Sequence, residues 1–445
     1  MVVEPLTKPA SPVRPNALRG GVSWIAASAV VVAVVNYGYS LGLAYAIPAH
    51  SYTMFAAGQA VLLVVGTIAG AAGPWLLAFE IARAPHDRSA RRIAVLFANV
   101  LNGVLGTLAA VVVGLVARSF ASTSVALVMA VASLAIFQAA TAVGYLQGDG
   151  RFRAIAVFRG AEVLLKVACG ACAVAVGFGA AGALFGFVAS DAVMAAIGFW
   201  LFRTDFGGQL SALRAAVGSR PLWRRTAGIA GVQALTALII NLDTILVAVL
   251  HGEQGYAATY QVSVVLSRVP VFVSVAISLV AFRAISSGRH STVSLVKKTV
   301  GLFACLGVPA TIVVAVLPGS ILRLMLPDSY DAVRMVLPFT AICGLLFGLV
   351  NLFTTYFQAE LRFQRMLWIL SAGVLGQTGL ICLGDRIDGP KGLALGALAG
   401  SLTLVVVLAY EVRRAWFAIV HRNRHRHARA SRRPSADAFA TVPEA

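Results

Sequence analysis

Residues 145–153 read YLQGDGRFR, and residues 356–365 read YFQAELRFQR. Tyr145, Gln147, Asp149, Arg151 and Phe152 correspond to Tyr356, Gln358, Glu360, Arg362 and Phe363 at a constant offset of 211. A second pair recurs at almost the same distance. GALFGFVAS (182–190) matches GLALGALAGS (392–401), with Gly182 and Gly186 answering Gly392 and Gly396 at an offset of 210. A chain that spells the same polar phrase and the same glycine spacing twice is built from a duplicated unit.

The surroundings of the two phrases fix the solvent. The 445 residues are 59% hydrophobic and 12% charged, with a mean hydropathy of +0.86. A soluble domain carries about 25% charged residues, so lipid must be the solvent for most of this chain. Twelve stretches have the length of an apolar helix crossing a bilayer: 22–46, 54–79, 93–117, 122–146, 153–176, 179–202, 226–250, 257–281, 298–317, 336–358, 366–384 and 391–411. Each copy of the opening phrase closes the fourth span of a set of six. Six is even, so both units start on the same side and are parallel repeats about an axis along the membrane normal. The expected fold is an all-α integral membrane protein with 12 transmembrane helices in two six-helix bundles and a central cavity between them. The expected divisions are an N-terminal tail (1–20), a first lobe (21–203), a linker (204–225), a second lobe (226–411) and a basic tail (412–445).

Charge placement orients the spans. With the N-terminus in the cytoplasm, 28 Lys and Arg fall on the cytoplasmic side and five on the other, namely Arg118, Arg323, Arg334, Arg386 and Lys391. This asymmetry follows the positive-inside rule and accounts for most of the net charge of +19. Nucleic-acid binding is therefore not expected. The tail HRNRHRHARASRR reads as a segment facing lipid headgroups. Residues 1–20 are polar and carry four prolines, which argues against a cleavable signal peptide. Arginine outnumbers lysine 31 to 5, and with abundant alanine this suggests a GC-rich bacterial genome. The expected location is a bacterial plasma membrane, with both termini cytoplasmic. The five cysteines all lie in apolar runs and read as packing residues, including the Cys169–Cys172 pair. No metal or cofactor is expected.

Ionisable residues inside spans each require a reason, because insertion costs about 2.5–3.5 kcal/mol even on lenient scales. Arg159, Glu162 and Lys166 share one helix face at spacings of three and four. They form either a self-neutralising ladder or a face of net charge +1 that holds a diphosphate, which Arg suits because its fork matches two oxygens. Arg268, just before Pro270, must face protein or water; it either lines a cavity with Asn241 or pairs with Asp243. Asp243, Glu162 and Asp191 are candidates for carrying a coupling proton, and Asp191 reads equally as a packing partner between helices. The repeated phrase has two readings. Tyr145, Gln147, Arg151, Tyr356, Gln358 and Arg362 are either an interfacial anchor and hinge or a cytoplasmic gate. Pro74, Pro270, Pro309 and Pro338 are expected to kink their spans. Residues 319–335 are too polar to span and are expected to lie along the outer surface as an amphipathic element.

Three segments carry a family resemblance: YLQGDGRFRAIAVFRGAE, NLDTILVAVLHGEQGYAATYQVSVVLSRVP and ILRLMLPDSYDAVRMVLPF. They resemble polysaccharide transporters of the MOP exporter superfamily, the group of O-antigen and lipid-linked oligosaccharide flippases. Multidrug and toxic compound extrusion (MATE) exporters and lipid II flippases are more distant branches. The two further C-terminal spans usual in lipid II flippases have no counterpart in this sequence. The resemblance implies a flippase that moves a polyprenyl-diphosphate-linked oligosaccharide from the inner to the outer leaflet, driven by an H+ or Na+ gradient, with polymerase or glycosyltransferase partners. The alternative is a cation antiporter of the MATE type. An enzyme is not expected: no link is long enough for a nucleotide-sugar domain and no phosphate loop is present.

Overall fold

The computed structural model describes residues 15–71, 73–83, 87–203, 220–251, 255–286, 292–327, 330, 332–359 and 363–430. Arg362 and Glu360 of the second phrase lie outside them, as do Asp328, Asp331, most of the expected linker and both extreme tails. The described residues are helix and short turns, with no strand among them.

The first half contains α1 (Pro15–Ala46), α2 (Ala49–Ala71), α3 (Gly73–Arg83), α4 (Arg88–Ala117), α5 (Thr123–Gly148), α6 (Phe152–Ala175) and α7 (Gly179–Leu201). The second contains α8 (Arg220–His251), α9 (Gly255–Leu266), α10 (Val269–Ser286), α11 (Thr292–Ala315), α12 (Gly319–Met325), α13 (Val333–Ala359) and α14 (Phe363–Ala430). The expected spans overlap these helices, although 257–281 is interrupted at Ser267 and Arg268 and 54–79 crosses residue 72, which is outside the described residues. Several helices outrun the expected limits: α1 begins at Pro15, inside the expected tail, α8 begins at Arg220, inside the expected linker, and α14 extends to Ala430.

Among the described residues eight helices are long and apolar enough to cross a membrane, and nine if α9 and α10 form one bent span. The helix α6 falls short because Arg159, Glu162 and Lys166 lie in its apolar stretch. The described apolar part of α1 is only Val30–Ala46. The run α14 holds two arms, since Asp388 (φ −136°) and Gly389 (φ +53°) break it.

That break is the first half's α6–α7 turn repeated. Gly179 has φ +52° and Gly389 has φ +53°, again 210 residues apart. Only glycine adopts this left-handed backbone at no cost. The glycines of the second repeated phrase then let the next helix close onto the previous one. Gly186 sits against the Lys166 carbonyl and Gly170; Gly396 sits against the Leu380 carbonyl and Ile381. The same spacing therefore produces the same tight hairpin twice, which is why the sequence repeats it.

Two apolar clusters belong to one half each. One gathers Ile239, Tyr260, Phe347, Leu370 and Leu393 in the second half. Another gathers Leu77, Ile81, Val95, Tyr145 and Phe202 at the end of the first half that holds the α5–α6 turn, termed the near face. A third crosses between the halves at the opposite end, the far face. There Tyr52, Phe55, Phe120 and Leu184 pack with Ala248, Val262, Leu326, Tyr330 and Val333. The helices α2 and α8 pack along each other below this seal. The amphipathic reading of 319–335 fits α12: Leu322 and Leu326 are buried in the seal while Leu324 is 82% exposed. It does more than lie along a surface, however. Tyr45 of α1 donates to the Leu324 carbonyl at 3.1 Å, and Tyr330 meets Tyr52 edge-on at 6.1 Å.

Pro270 sits at the 42° bend between α9 and α10. Proline at the first turn of a helix costs no hydrogen bond, so this span breaks where a new helix starts at the proline. Pro309 and Pro338 lie inside unbroken helices. Pro74 lies in α3, next to residue 72, which is outside the described residues.

Gly396→Ala is expected to lower stability by about 1–3 kcal/mol, as overpacked interiors do. Gly376→Ala, with nothing within 4 Å of its Cβ position, is expected to be neutral or stabilising. Thermal unfolding of the two variants in detergent checks this, and equal midpoints would remove the hairpin argument.

Candidate functional site

Below the far-face seal, a cleft of about 100 Å³ separates the halves. Asn36, Ser40 and Gln59 line it from α1 and α2; Asn241, Thr244, Gln261 and Arg268 line it from α8, α9 and the bend. Tyr37 and Phe272 add aromatic wall. Polar side chains thus face each other across a boundary that apolar residues close at one end.

Arg268 owes its place to the broken span. The chain leaves helix at Ser267 and Arg268 and resumes at Val269, so the side chain projects from the bend instead of into lipid. Its guanidinium donates to Asn241 Oδ1 at 2.9 Å, and a longer contact of 3.4 Å reaches the Ile240 carbonyl. Asn241 is itself held by donating to the Ala237 carbonyl at 2.7 Å. Behind the bend, Gly344 lies against the Ser267 carbonyl. Thr340 joins Ser263 and Ser267 in hydroxyl contacts of 2.6 and 2.8 Å. Small and hydroxyl side chains re-satisfy groups that a broken helix frees, so α13 holds the bend in place.

The expected pairing of Arg268 with Asp243 does not form. Asp243 is buried on the other side of α8, where Oδ2 accepts from Tyr260 at 3.2 Å and Oδ1 from the Thr244 amide at 2.7 Å. Residues 241 and 243 are two apart, about 200° around a helix, so Asn241 and Asp243 cannot face the same way. The Asn took the cleft and the Asp took the core.

The α6 residues fall into two environments. Arg159 and Glu162 form an ion pair at 2.8 Å, with side chains 41% and 23% exposed, outside the lining of the cleft. Lys166 is buried, donates to Asn36 Oδ1 and lies 4.6 Å from the Phe187 ring. Asp191 on α7 is buried within electrostatic reach of Arg159, Glu162 and Lys166. The triplet of net charge +1 read from one helix face is therefore a neutral quartet once α7 is packed against it. Lys166 connects that quartet to the cleft through Asn36.

The first copy of the repeated phrase is tied to α4 and to Phe202 beyond α7. Asp149 takes a two-pronged ion pair from Arg91 of α4, at 2.8 and 3.0 Å, while Arg151 stands 3.7 Å away. Arg91 also lies 4.5 Å over the Tyr145 ring, and Tyr145 packs on Phe202 at 5.7 Å. Gln147 is exposed. In the second copy Gln358 accepts from Gln233 of α8 at 2.9 Å, and Tyr356 is buried within its own half. Each copy is tied to neighbours in its own half. Arg91, 58 residues earlier, is the main partner of Asp149 in this turn.

Asn36, Ser40, Gln59 and Gln261 were not singled out from the sequence. Uncharged polar residues are common in membrane helices, and only their convergence on one cleft distinguishes these four. Among the described residues no group of His, Cys, Asp or Glu is arranged to hold a metal.

The profile of the family described as "Polysaccharide biosynthesis protein" matches residues 18–288. No curated protein matches the chain in sequence. Solved structures share the fold at low identity. An inward-facing multidrug resistance MATE family transporter of the MOP superfamily superposes with a TM-score of 0.68 at 14% identity, covering 88% of this chain and 99% of that one. A MATE structure in the straight conformation gives 0.66 at 14% identity over 91% and 96%. A Vibrio cholerae MATE transporter, crystallised as an Asp-to-Asn mutant, gives 0.65 at 15% identity over 91% and 97%.

Arg91→Ala and Asp149→Ala are each expected to destabilise the chain, and the double variant by less than their sum. A coupling of about 1–3 kcal/mol in the double-mutant cycle marks a direct pair. A coupling near zero would mean that Asp149 is held by something else.

Proposed function

This chain belongs to the polysaccharide biosynthesis protein family, and we propose that within it the protein is a flippase for a lipid-linked saccharide carried on a phosphate or diphosphate. The reading takes the helices as twelve spans in two six-helix lobes, with the near face and both termini cytoplasmic in a bacterial plasma membrane. The observation that carries it is Arg268. Its guanidinium stands at a helix break in a polar cleft between two lobes, held by Asn241 and open towards Asn36 and Gln59. A cation offered on a prepositioned fork is suited to phosphate oxygens, and the glycan requires the amide and hydroxyl groups around it. The apolar seal of Tyr52, Phe120, Leu326 and Tyr330 blocks the far end, so the cleft would load from the near face. Opening that seal and closing the near end is the alternating access of a two-lobed transporter.

Ion coupling is assigned to the α6–α7 quartet, of which Lys166 and Asp191 are buried. Protonation of Asp191 or Glu162 would leave the quartet positive, and Lys166 would pass that change to Asn36 on the cleft wall. Asp243, with Tyr260 and Thr244, is the second acidic candidate, in the other lobe. Polymerase or glycosyltransferase partners fit this role but have no residue assigned to them.

The MATE-like fold favours one other reading, export of organic cations. The aromatic wall of Tyr37 and Phe272 suits such cargo, whereas Arg268 repels it. Accordingly, Arg268→Gln is expected to reduce lipid-linked saccharide flipping at least tenfold in proteoliposomes while the protein inserts normally. Arg268→Lys is expected to recover part of the rate. Wild-type flipping by Arg268→Gln, or cation efflux that improves in it, would reject the flippase reading. Asp191→Asn is expected to keep substrate binding and lose dependence of transport on the imposed ion gradient; a gradient response equal to wild type would move coupling elsewhere.

A further inference from the structure

The far face keeps few cations, and one of them lines a vestibule directly over the seal. Between the start of α2, the α4–α5 turn and the end of α8 lies a cavity of about 570 Å³. His50, Arg118, Ser122 and His251 form its polar rim, and both halves of the chain contribute. Its floor includes Phe120 and Ala248, which are members of the far-face seal. A group passing the seal would meet this rim next.

Among the described residues the rim carries more cationic and donor groups than acids. Arg118 is exposed; its backbone N–H donates to the Val116 carbonyl, and its guanidinium has no ion-pair partner among the described residues. His50 and His251 add imidazole donors. Ser122 is the N-cap of α5 and makes no side-chain capping bond, so the first amides of a 26-residue helix open beside it. A helix N-terminus carries partial positive charge and free N–H groups. Asp385 holds His251 at 2.6 Å and so orients its ring. Few Lys or Arg are expected on a far face under the positive-inside rule, and Arg118 is one of only five there on the proposed topology.

We propose that this vestibule is a phosphate-binding subsite, built from Arg118, His50, His251 and the α5 N-terminus, that receives the phosphate-bearing head as it leaves the seal. It rests on the flippase reading for its role, but not for its chemistry. The bound group is a phosphate monoester or diphosphate, whether from the transported lipid or from an ordinary phospholipid headgroup. Such a subsite would stabilise the opened-seal state by favouring the head on the far side.

The test is local to the vestibule. The full chain carrying Ser122→Cys is placed in phosphatidylcholine nanodiscs, and its reaction with a membrane-impermeant maleimide is timed against added inorganic diphosphate. Diphosphate is expected to slow labelling several-fold. Arg118→Ala is expected to raise the half-protecting concentration about tenfold or more, the usual effect of losing a charge-assisted bond to phosphate. The Arg118 guanidinium has no described ion-pair partner, so the variant is expected to unfold at the wild-type temperature; Arg118→Lys keeps the charge and should keep partial protection. Arg268→Gln should leave protection unchanged, which separates this subsite from the central cleft. Protection by phosphatidylglycerol in the nanodisc without diphosphate, again lost in Arg118→Ala, would support the site and name the headgroup as its source. Protection from neither source, or protection that ignores Arg118, overturns the proposal whatever becomes of the flippase reading.

Discussion

A guanidinium in hydrocarbon needs polar company, and the placement of Arg268 shows how this fold provides it. The helix breaks at Ser267–Arg268, Pro270 starts the next helix, and Asn241 accepts from the half-buried guanidinium. The freed backbone must then be covered, since no water reaches it from lipid. Gly344 allows α13 to touch the Ser267 carbonyl, and the Ser263–Ser267–Thr340 hydroxyls fill the gap. One charged side chain thereby dictates a bend, a close helix contact and a polar wall between the halves.

The same economy governs the other buried charges. Arg159, Glu162, Lys166 and Asp191 form a neutral group across α6 and α7, which lowers the cost of holding any one of them in the membrane. Asp243 lies in the opposite half, where it accepts from hydroxyl and amide donors with Arg268 within electrostatic reach. The cleft lies between these two acidic environments. Lys166 reaches it through Asn36, and Thr244, which donates to Asp243, lines it directly. A change of protonation in either half would therefore act on a wall of the cleft.

The two ends of the cleft are unlike in composition. The far face is shut by interlocking aromatic and aliphatic side chains from both halves, with α12 laid across them and pinned by Tyr45 and Tyr330. At the near face the repeated phrase ties turns within each half, through Arg91–Asp149 in one and Gln233–Gln358 in the other. Contacts that stay inside a half survive a rocking motion, whereas contacts across the seal must break. The arrangement thus identifies which interactions a transport cycle would have to exchange.

Much of the fold was legible in the sequence because membrane helices are written locally. Length and hydropathy marked the helices, and the offset of 210 marked the duplicated hairpin, where Gly179 and Gly389 share one backbone conformation and Gly186 and Gly396 one packing role. The charged candidates were also visible, since any ionisable residue at membrane depth stands out. Which of them face one another was not visible, because that depends on how helices rotate and pack. Tertiary structure turned Asp243 away from Arg268, brought Asp191 to the α6 charges, put Arg91 on Asp149 and gathered Asn36, Gln59 and Gln261 into the cleft. A helix face is fixed by its own 3.6-residue period, but its partner is chosen by packing among helices far apart in the chain, and a single sequence does not record that choice.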